Sequence, residues 1–541
     1  DEYPVSNATS LCPTWKVEAG QTRVGWLIRP YSNYTADLPS LRTTDWQANV
    51  DAAKAEWHAL LDKASRVEIP DAGVRNGFYA CLSDLFIMRE PVEGGLIAGA
   101  PGTEVYRAGS SGETAIVAIA LDQLGMHKEA FDQYRVSIEQ QGENGDWADP
   151  KGWAHLMWAI TGFKAWTVRE HYGLTGDKAY LEWVYPRLVA SARWQEKERA
   201  RTRVMVDGAR PLTYGLMPRG MGDCGLKDGD DLYGVFLPHN MWAVFADRVA
   251  MEAAEVLGRT EDVAELRGIY ETGRADLLDA LERGAIAGDG YRWIPGVPGK
   301  TCGSRWGALN ALFPCETLKP DHPLIEGTMR HLRSNMSPGG LPLNTGWMPA
   351  GLWVAIALDN LAECHLVRGE GDEAAGLLYA TLNHGTPLYT WCEERGAEPG
   401  VKEISGDRQH LWTPVAVVRA VRDCLVMERG DELHLALGTH RDWLASGATV
   451  GISNAATHFG TVSYDLRYDA STHKVLGKVN FQPAEAGRKP PSSVVMHVRL
   501  PGGMHAVSVN SESNAALIPD GSGIVWRSGL AGEHALQVEV Q

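Results

Sequence analysis

Apolar residues along this chain follow two different periods. Between about residues 73 and 427 they recur at i, i+3, i+4 and i+7, the spacing that gathers them on one face of an α-helix, with turn clusters between the runs. The pattern predicts helices beginning near Val74, Gly109, Lys128, Gly152, Asp177, Asn240, Glu261, Arg305, Pro323, Pro349, Asp372 and Gln409. Beyond residue 430 the period falls to two. Val-rich alternating runs at Glu432–Leu437, Ala448–Ser453, Thr461–Tyr468, Lys474–Phe481, Ser493–Leu500, His505–Val509, Gly523–Arg527 and Ala535–Val540 predict short strands, separated by turn clusters such as Pro490-Pro491 and Pro501-Gly502-Gly503.

The helical stretch carries a weak internal repeat. A helix ends in Gly and the next begins soon after with acidic residues and an Ala. This happens at Leu124-Gly125 to Glu129-Ala130, Tyr172-Gly173 to Asp177 and Ala179, Leu257-Gly258 to Asp262 and Ala264, and Arg368-Gly369 to Asp372 and Ala374. Glycine past the last turn takes the left-handed conformation that closes a helix, and acids in a first turn complement the helix dipole. The repeat therefore predicts tight helical hairpins. Twelve helices in six hairpins predict a mainly α fold, an (α/α)6 toroid over 73–428 with its site at one end. The short strands predict a C-terminal β-sandwich over 429–541. Residues 1–45 read as a short β-like or irregular segment. Residues 46–72 read as a linker helix with Trp46, Val50, Ala53, Trp57 and Leu61 at helical spacing.

Composition narrows the function. The chain has 541 residues, 44% hydrophobic and 22% charged, which is ordinary globular composition. Its net charge of −17 and the lack of any Lys/Arg-rich run argue against nucleic acid as a partner. No run of 18 apolar residues predicts a membrane helix, so no membrane insertion is expected. The eight cysteines have no Cys-x-x-Cys or zinc spacing and are expected to be mostly free. Nineteen Trp supply faces for sugar rings or bulk for a core; the count alone does not separate the two.

Four segments between helices gather the unusual chemistry. The densest runs from Tyr214 to Asp231, with Arg219, Asp223, Asp228, Asp230 and Asp231 among glycines, followed by His239. It lacks the EF-hand spacing and closing Glu, so no metal and no cofactor are expected. The second holds Trp391, Glu393, Glu394 and Arg395, then Asp407, Arg408 and His410; Asp407 could also be a plain N-cap. The third holds Glu104, Tyr106 and Arg107 and continues to Ser110 and Glu113, which have capping-box spacing. The fourth holds Asp146, Trp147 and Trp153. Trp347 and Arg305 lie on further connections. A toroid would bring such loops to one face. No nucleophile elbow, Walker loop or His-Glu-x-x-His motif is present. Two separated carboxylates beside aromatic rings suit acid–base cleavage of a glycosidic bond, one protonated for the leaving oxygen and one ionised to activate water.

With these segments in view, the chain from about Thr44 onward resembles the six-hairpin glycosidase superfamily, which includes glucoamylases, bacterial α-L-rhamnosidases, trehalases and cellobiose phosphorylases. Gly222-Asp223-Cys-Gly-Leu is similar to the loop that supplies the general acid there. Cys224 and Gly225 stand where the phosphorylases carry Trp and Asn, so Asp228, Asp230 and Asp231 remain alternatives to Asp223. Trp391-Cys-Glu393-Glu394-Arg395 ahead of Ser405-Gly-Asp-Arg-Gln-His-Leu-Trp412 is similar to the last-hairpin segment that carries the glucoamylase base.

The resemblance implies an exo-acting, inverting glycoside hydrolase with Asp223 as acid and Glu393, or else Glu394, as base. Trp147, Trp153, Trp347 and Trp391 are the expected sugar platforms. Glu104, Tyr106, Arg107, Asp146, Arg219, Asp228, His239, Arg305, Arg395 and His410 are the expected substrate binders. The arginines would suit a uronate or sulfate. Arg395 or Arg408 is expected to keep the base ionised. A carbohydrate is the expected partner, and a periplasmic or secreted location is favoured. Rival readings are a glycoside phosphorylase, a non-catalytic carbohydrate-binding protein, and a polysaccharide lyase built on Tyr106 and His239. The C-terminal strands, with no aromatic platform beyond Trp526, are expected to be structural.

Overall fold

A computed structural model describes residues 14–27, 38–107, 112–150, 152, 154–397, 403–485, 488–511, 513–527 and 529–541. The chain divides into two compact units, 1–60 and 61–541. In the first, α1 (Leu38–Thr43) and α2 (Trp46–Leu61) are joined by the Trp46 indole N–H, which donates to Leu41 O at 3.1 Å. Among the described residues up to 45 there is no strand: 14–27 is irregular and 38–43 is helical. No residue of α2 is buried.

The second unit holds α3 (Ala72–Ile87), α4 (Gly112–Gln123), α5 (His127–Glu139), α6 (Ala159–Thr175), α7 (Lys178–Ala200), α8 (Leu237–Val256), α9 (Thr260–Gly284), α10 (Pro323–Arg333), α11 (Glu363–Val367), α12 (Gly371–Asn383), α13 (Trp412–Leu425) and α14 (Arg441–Ala445). A 3₁₀ turn, Ala308–Ala311, precedes α10, and a π-helical stretch, Ala357–Ala362, runs into α11. Neighbours in sequence pair: α4 with α5, α6 with α7, α8 with α9, the 3₁₀ turn with α10, and the π-helical stretch with α12, while α3 packs on α13. A second set of contacts links α4 to α6, α6 to α8, α8 to the 3₁₀ turn, that turn to the π-helical stretch, the stretch to α13, and α13 back to α4. Every residue of α4 and of α13 is buried, whereas α5 and α9 bury one face only. Helices apolar all round belong inside, and amphipathic ones belong outside.

Three expected helices differ in kind or start. The one near Arg305 is reduced to the 3₁₀ turn, because Gly303 and Gly307 are left-handed (φ 71° and 74°) and break the ladder. The one near Pro349 starts later, since Ala350 is left-handed and Gly351–Leu352 is a strand. The one near Gly152 begins at Ala159, after a loop in which Asp149 and Leu156 both have positive φ. The start near Gly109 lies outside the described residues. Tyr172-Gly173 is not a helix end; α6 continues to Thr175 and closes on left-handed Gly176, after which Asp177 caps α7 by accepting from Tyr180 N.

The period-two region forms two sheets. One runs Arg66–Glu68, Val450–Thr457, Gly460–Asp469, Lys474–Pro483, Gly532–Val540, Ala506–Ser511, all antiparallel. The other runs Val426–Arg429, Glu432–Leu435, Ser493–His497, Gly523–Trp526, Ala516–Leu517, with one parallel pair between Glu432–Leu435 and Ser493–His497. The sheets are tied to the helices. Tyr464 OH donates to Leu425 O at 2.9 Å, and the Arg422 guanidinium donates to Ala456 O at 2.7 Å. Among the described residues no helix is long and apolar enough to cross a membrane.

Candidate active site

Asp223 lies in the loop closed by the two-stranded ribbon Gly220–Met221 and Tyr233–Gly234. The stretch before it is braced. Trp158 donates its indole N–H to Pro218 O at 2.8 Å, and Asn240 Oδ1 accepts from Met217 N at 2.7 Å. Cys224 and Gly225 both have positive φ, and a Cβ on Gly225 would overlap Gly346 O. The acid loop is thus pressed against the loop that carries Trp347. Asp223 is buried and its Oδ2 has no partner. Burial pushes its carboxyl up to about 6, against the pull of the Cys224 thiol and N–H.

Glu393 and Glu394 stand just before and within the middle strand, Glu394–Gly396, of a small sheet flanked by Gly351–Leu352 and Ile404–Ser405. Neighbours in an extended chain face opposite ways, and these two acids do different work. Glu394 is fully buried and accepts from Trp347 N at 2.8 Å and from Met348 N at 2.9 and 3.0 Å. It holds the Trp347 loop. Burial pushes it up to about 7 against those two N–H donors. Glu393 is buried with Oε2 unpartnered. Burial, then the charge of Asp223, pushes it up to about 8, opposed by hydrogen bonding from the Trp347 side chain. The expected ionising help from Arg395 or Arg408 is not seen. Arg395 donates to Gly396 O at 3.3 Å, and Arg408 is exposed, 3.9 Å from Glu104.

A third carboxylate joins these two. Glu113, in the first turn of α4, is buried and driven well above the usual range by burial and by the charges of Asp223 and Glu393, with Trp412 beside it. The same three acids act on the Tyr106 hydroxyl, which burial raises first. Among the described residues no Lys or Arg forms an ion pair with Glu113, Asp223 or Glu393. Glu113 was hidden in the sequence by its capping-box spacing to Ser110, which lies outside the described residues. Only its place on a wholly buried helix marks it out.

Asp407 is the second missed residue. It is not an N-cap: α13 starts five residues later, and the carboxylate instead accepts from Glu104 N, from Val105 N at 2.8 Å and from Tyr106 N at 2.9 Å. It clamps the Tyr106 loop as Glu394 clamps the Trp347 loop. His410 stands edge-on to Tyr106, ring centroids 5.8 Å apart, and burial lowers it to about 3.

Other expected site residues are occupied elsewhere. Trp147 is fully buried and donates to Ile138 O at 3.0 Å, and Trp391 is buried and donates to Thr381 O at 3.2 Å; neither offers a face to a sugar. Arg305 spends its guanidinium on the carbonyls of Leu343, His331, Leu332 and Asn335, tying down the end of α10. Arg219 is exposed and paired with Asp231, Asp228 is paired with Lys300 at 2.5 Å, and Asp230 is exposed, so Asp223 is the buried acid of its loop. Arg107 is exposed and paired with Glu90, and the Glu104 side chain is exposed. Asp146 accepts from Ala148 N and meets His155 Nε2 at 3.0 Å, bracing its own loop. His239 is fully buried between Phe236 and Trp306 with both ring nitrogens unpartnered, and burial lowers it to about 3. Trp153 lies outside the described residues.

The architecture has solved counterparts. An α-L-rhamnosidase from Dictyoglumus thermophilum superposes at a TM-score of 0.57 with 13% identity, over 88% of this chain and 50% of that one. The two share a fold. A GH78 rhamnosidase of Bacillus sp. GL1 matches at 0.52 and 14% identity, over 82% of this chain and 43% of that one. A bacterial glucoamylase complexed with acarbose matches at 0.52 and 12%, over 72% and 61%. The chain thus spans about half the length of the rhamnosidases. No protein-family model matches the sequence, and no curated protein matches it either.

Proposed function

We propose that this chain is a glycoside hydrolase in which Asp223 and Glu393 form the acid–base pair. The observation that carries the reading is the buried trio Glu113, Asp223 and Glu393, with no Lys or Arg paired to it among the described residues, in a fold shared with solved glycosidases. Uncompensated burial raises proton affinity, which is what proton donation to a leaving glycosidic oxygen requires at neutral pH. The circuit of inner helices fits an (α/α)6 toroid, and the period-two sheets a sandwich braced against it. Trp347 and Tyr106, each on a loop clamped by a carboxylate, are the proposed walls of the sugar site, and exo-action on chain ends is part of the same proposal. His239, with both ring nitrogens unpartnered, is a candidate hydroxyl partner.

Inversion assigns Asp223 as acid and Glu393 as base, with water between them and a separation of roughly 6.5–9.5 Å. A second reading, with roles reversed, is favoured by proton affinity, since Glu393 is pushed up to about 8 and Asp223 only to about 6. The test is a screen of aryl glycosides, with and without phosphate, followed by the product anomer by NMR. Hydrolysis independent of phosphate with inversion supports the reading. Phosphate-dependent cleavage or an unsaturated product sinks it.

A further inference from the structure

The loop between α5 and α6 holds an acid that this scheme leaves unused. Asp149 has φ 55°, and it precedes Pro150. Left-handed backbone is uncommon for a non-glycine residue, and a following proline restricts it further. The conformation is held from two sides: Asp149 O accepts from Gly152 N at 3.1 Å, and Oδ2 accepts from Ala154 N at 3.2 Å. A Cβ on Gly152 would overlap both carboxylate oxygens, so the side chain lies flat over that glycine.

This turn accounts for Oδ2 and leaves Oδ1, which is buried with no partner. An unsatisfied buried acceptor is unfavourable, so a strained turn that creates one invites a ligand donor. Asp146, three residues earlier, shows the structural alternative, with both oxygens satisfied by Ala148 N and His155. Burial raises the Asp149 carboxyl, opposed by the Ala154 N–H and by the charge of Lys164, a fully buried residue of α6 whose Nζ donates to Gln140 O at 3.1 Å. Glu113 is near enough for its carboxyl to feel the charge of Asp149.

We propose that Asp149 is a substrate-contacting residue of the carboxylate pocket, its free Oδ1 accepting a hydroxyl hydrogen of a bound neutral sugar. The proposal rests on the glycosidase reading. Neutral sugars are specified because, among the described residues, no Lys or Arg is paired with the trio to balance a uronate or sulfate. Arg107, Arg219 and Arg305, expected as partners for such groups, are paired or bonded elsewhere.

The experiment uses Asp149→Asn in the full chain, since asparagine tolerates left-handed backbone, removes the charge and turns one of the two acceptor oxygens into a donor. D-glucose, D-mannose and L-rhamnose, then the monodeoxy forms of whichever binds, are titrated by tryptophan fluorescence, with melting as a check on folding. The expected result is at least tenfold weaker binding of the best sugar with an unchanged melting temperature. One deoxy form should bind wild type and variant alike, and on cleaved glycosides KM should rise more than kcat falls. Unchanged affinity, an equal loss for every deoxy form, or no sugar binding to wild type overturns the proposal. Sugar binding weakened by Asp149→Asn without cleavage of any glycoside would sink the hydrolase reading and leave the contact standing.

Discussion

Two buried clusters of charge lie in this molecule, and they are built differently. Where the helices meet the sheets, acids are matched with arginine. Arg422 donates to Glu428 at 2.6 and 2.9 Å and to Asp423 at 2.9 Å, and Arg419 donates to Asp359 at 3.2 Å. Burial alone would raise Glu428, but Arg422 overrides it and brings the carboxyl down to about 2. At the loop end, Glu113, Asp223 and Glu393 have no such partner among the described residues, and burial raises all three. In the matched cluster Arg422 keeps Glu428 ionised, while burial still raises Asp423 and Asp359, Asp359 to about 6 against the pull of Arg419. The unmatched cluster keeps protons near neutral pH, which costs stability and supplies acid–base chemistry.

The largest effects should come from the unmatched cluster. Asp223→Asn and Glu393→Gln should each lower kcat by about 10²–10⁴ on glycosides with poor leaving groups, the range for loss of a general acid or base. Whichever residue is the acid should recover on dinitrophenyl glycosides, whose leaving group needs no proton; the base variant should stay slow on both. If both recover, or neither loses activity, the trio is not the catalytic centre.

Next in size is the matched cluster. Arg422→Met strands Glu428 and Asp423 in the interior. It should cost about 3–5 kcal/mol, the usual penalty for breaking a buried pair, read by urea denaturation. Activity per folded molecule should be unchanged. A loss in kcat at constant stability would show that the two clusters are not separate in function.

Much of this contrast is legible in the chain, and part of it is not. The change of period near residue 430 separates helices from strands because side-chain direction repeats every 3.6 residues in one and every 2 in the other. The strands at Lys474–Pro483 and Gly523–Trp526 start where alternation does. Asp223 and Glu393 stood out because each lies in a Gly-broken connection between helices. Side-chain direction within a loop has no period, so Trp147 and Trp391 could not be told from sugar platforms, nor Arg305 from a ligand arm. Glu113 and Asp407 were masked by capping patterns that fit them equally well, and only tertiary contacts decide what those carboxylates face.

A smaller effect follows from pH. Glu393 has a folded pKa of about 8 against an ordinary 4.5, so between those values the folded state binds more protons than the unfolded one. Stability from this group is full below pH 4.5 and is lost as pH rises toward 8, by at most about 1.4 kcal/mol per pH unit. Glu393→Gln removes that slope. The variant should gain melting temperature relative to wild type as pH rises from 5 to 8. Arg422→Met should show the opposite kind of change, because Glu428 stabilises above pH 4.5 and loses that contribution toward about 2. Parallel curves for wild type and Glu393→Gln would mean that Glu393 is not buried as a protonated acid.

The smallest effect tests the line between Glu393 and its neighbour. Glu394 accepts the Trp347 and Met348 N–H groups, a clamp that needs acceptors and no proton transfer. A glutamine keeps one acceptor oxygen and turns the other into a donor, so Glu394→Gln weakens the clamp without removing it. Hydrogen bonds to a charged group are worth about 1.5–3 kcal/mol each, and half of that loss falls on a loop that binds rather than reacts. The expected outcome is a rise in KM of about tenfold or less, from a looser Trp347, with kcat nearly unchanged and the same pH profile as wild type. The catalytic variant Glu393→Gln should do the reverse. If Glu394→Gln instead abolishes kcat and the loss does not depend on the leaving group, the clamp is the base, and the two adjacent acids have exchanged the roles given to them here.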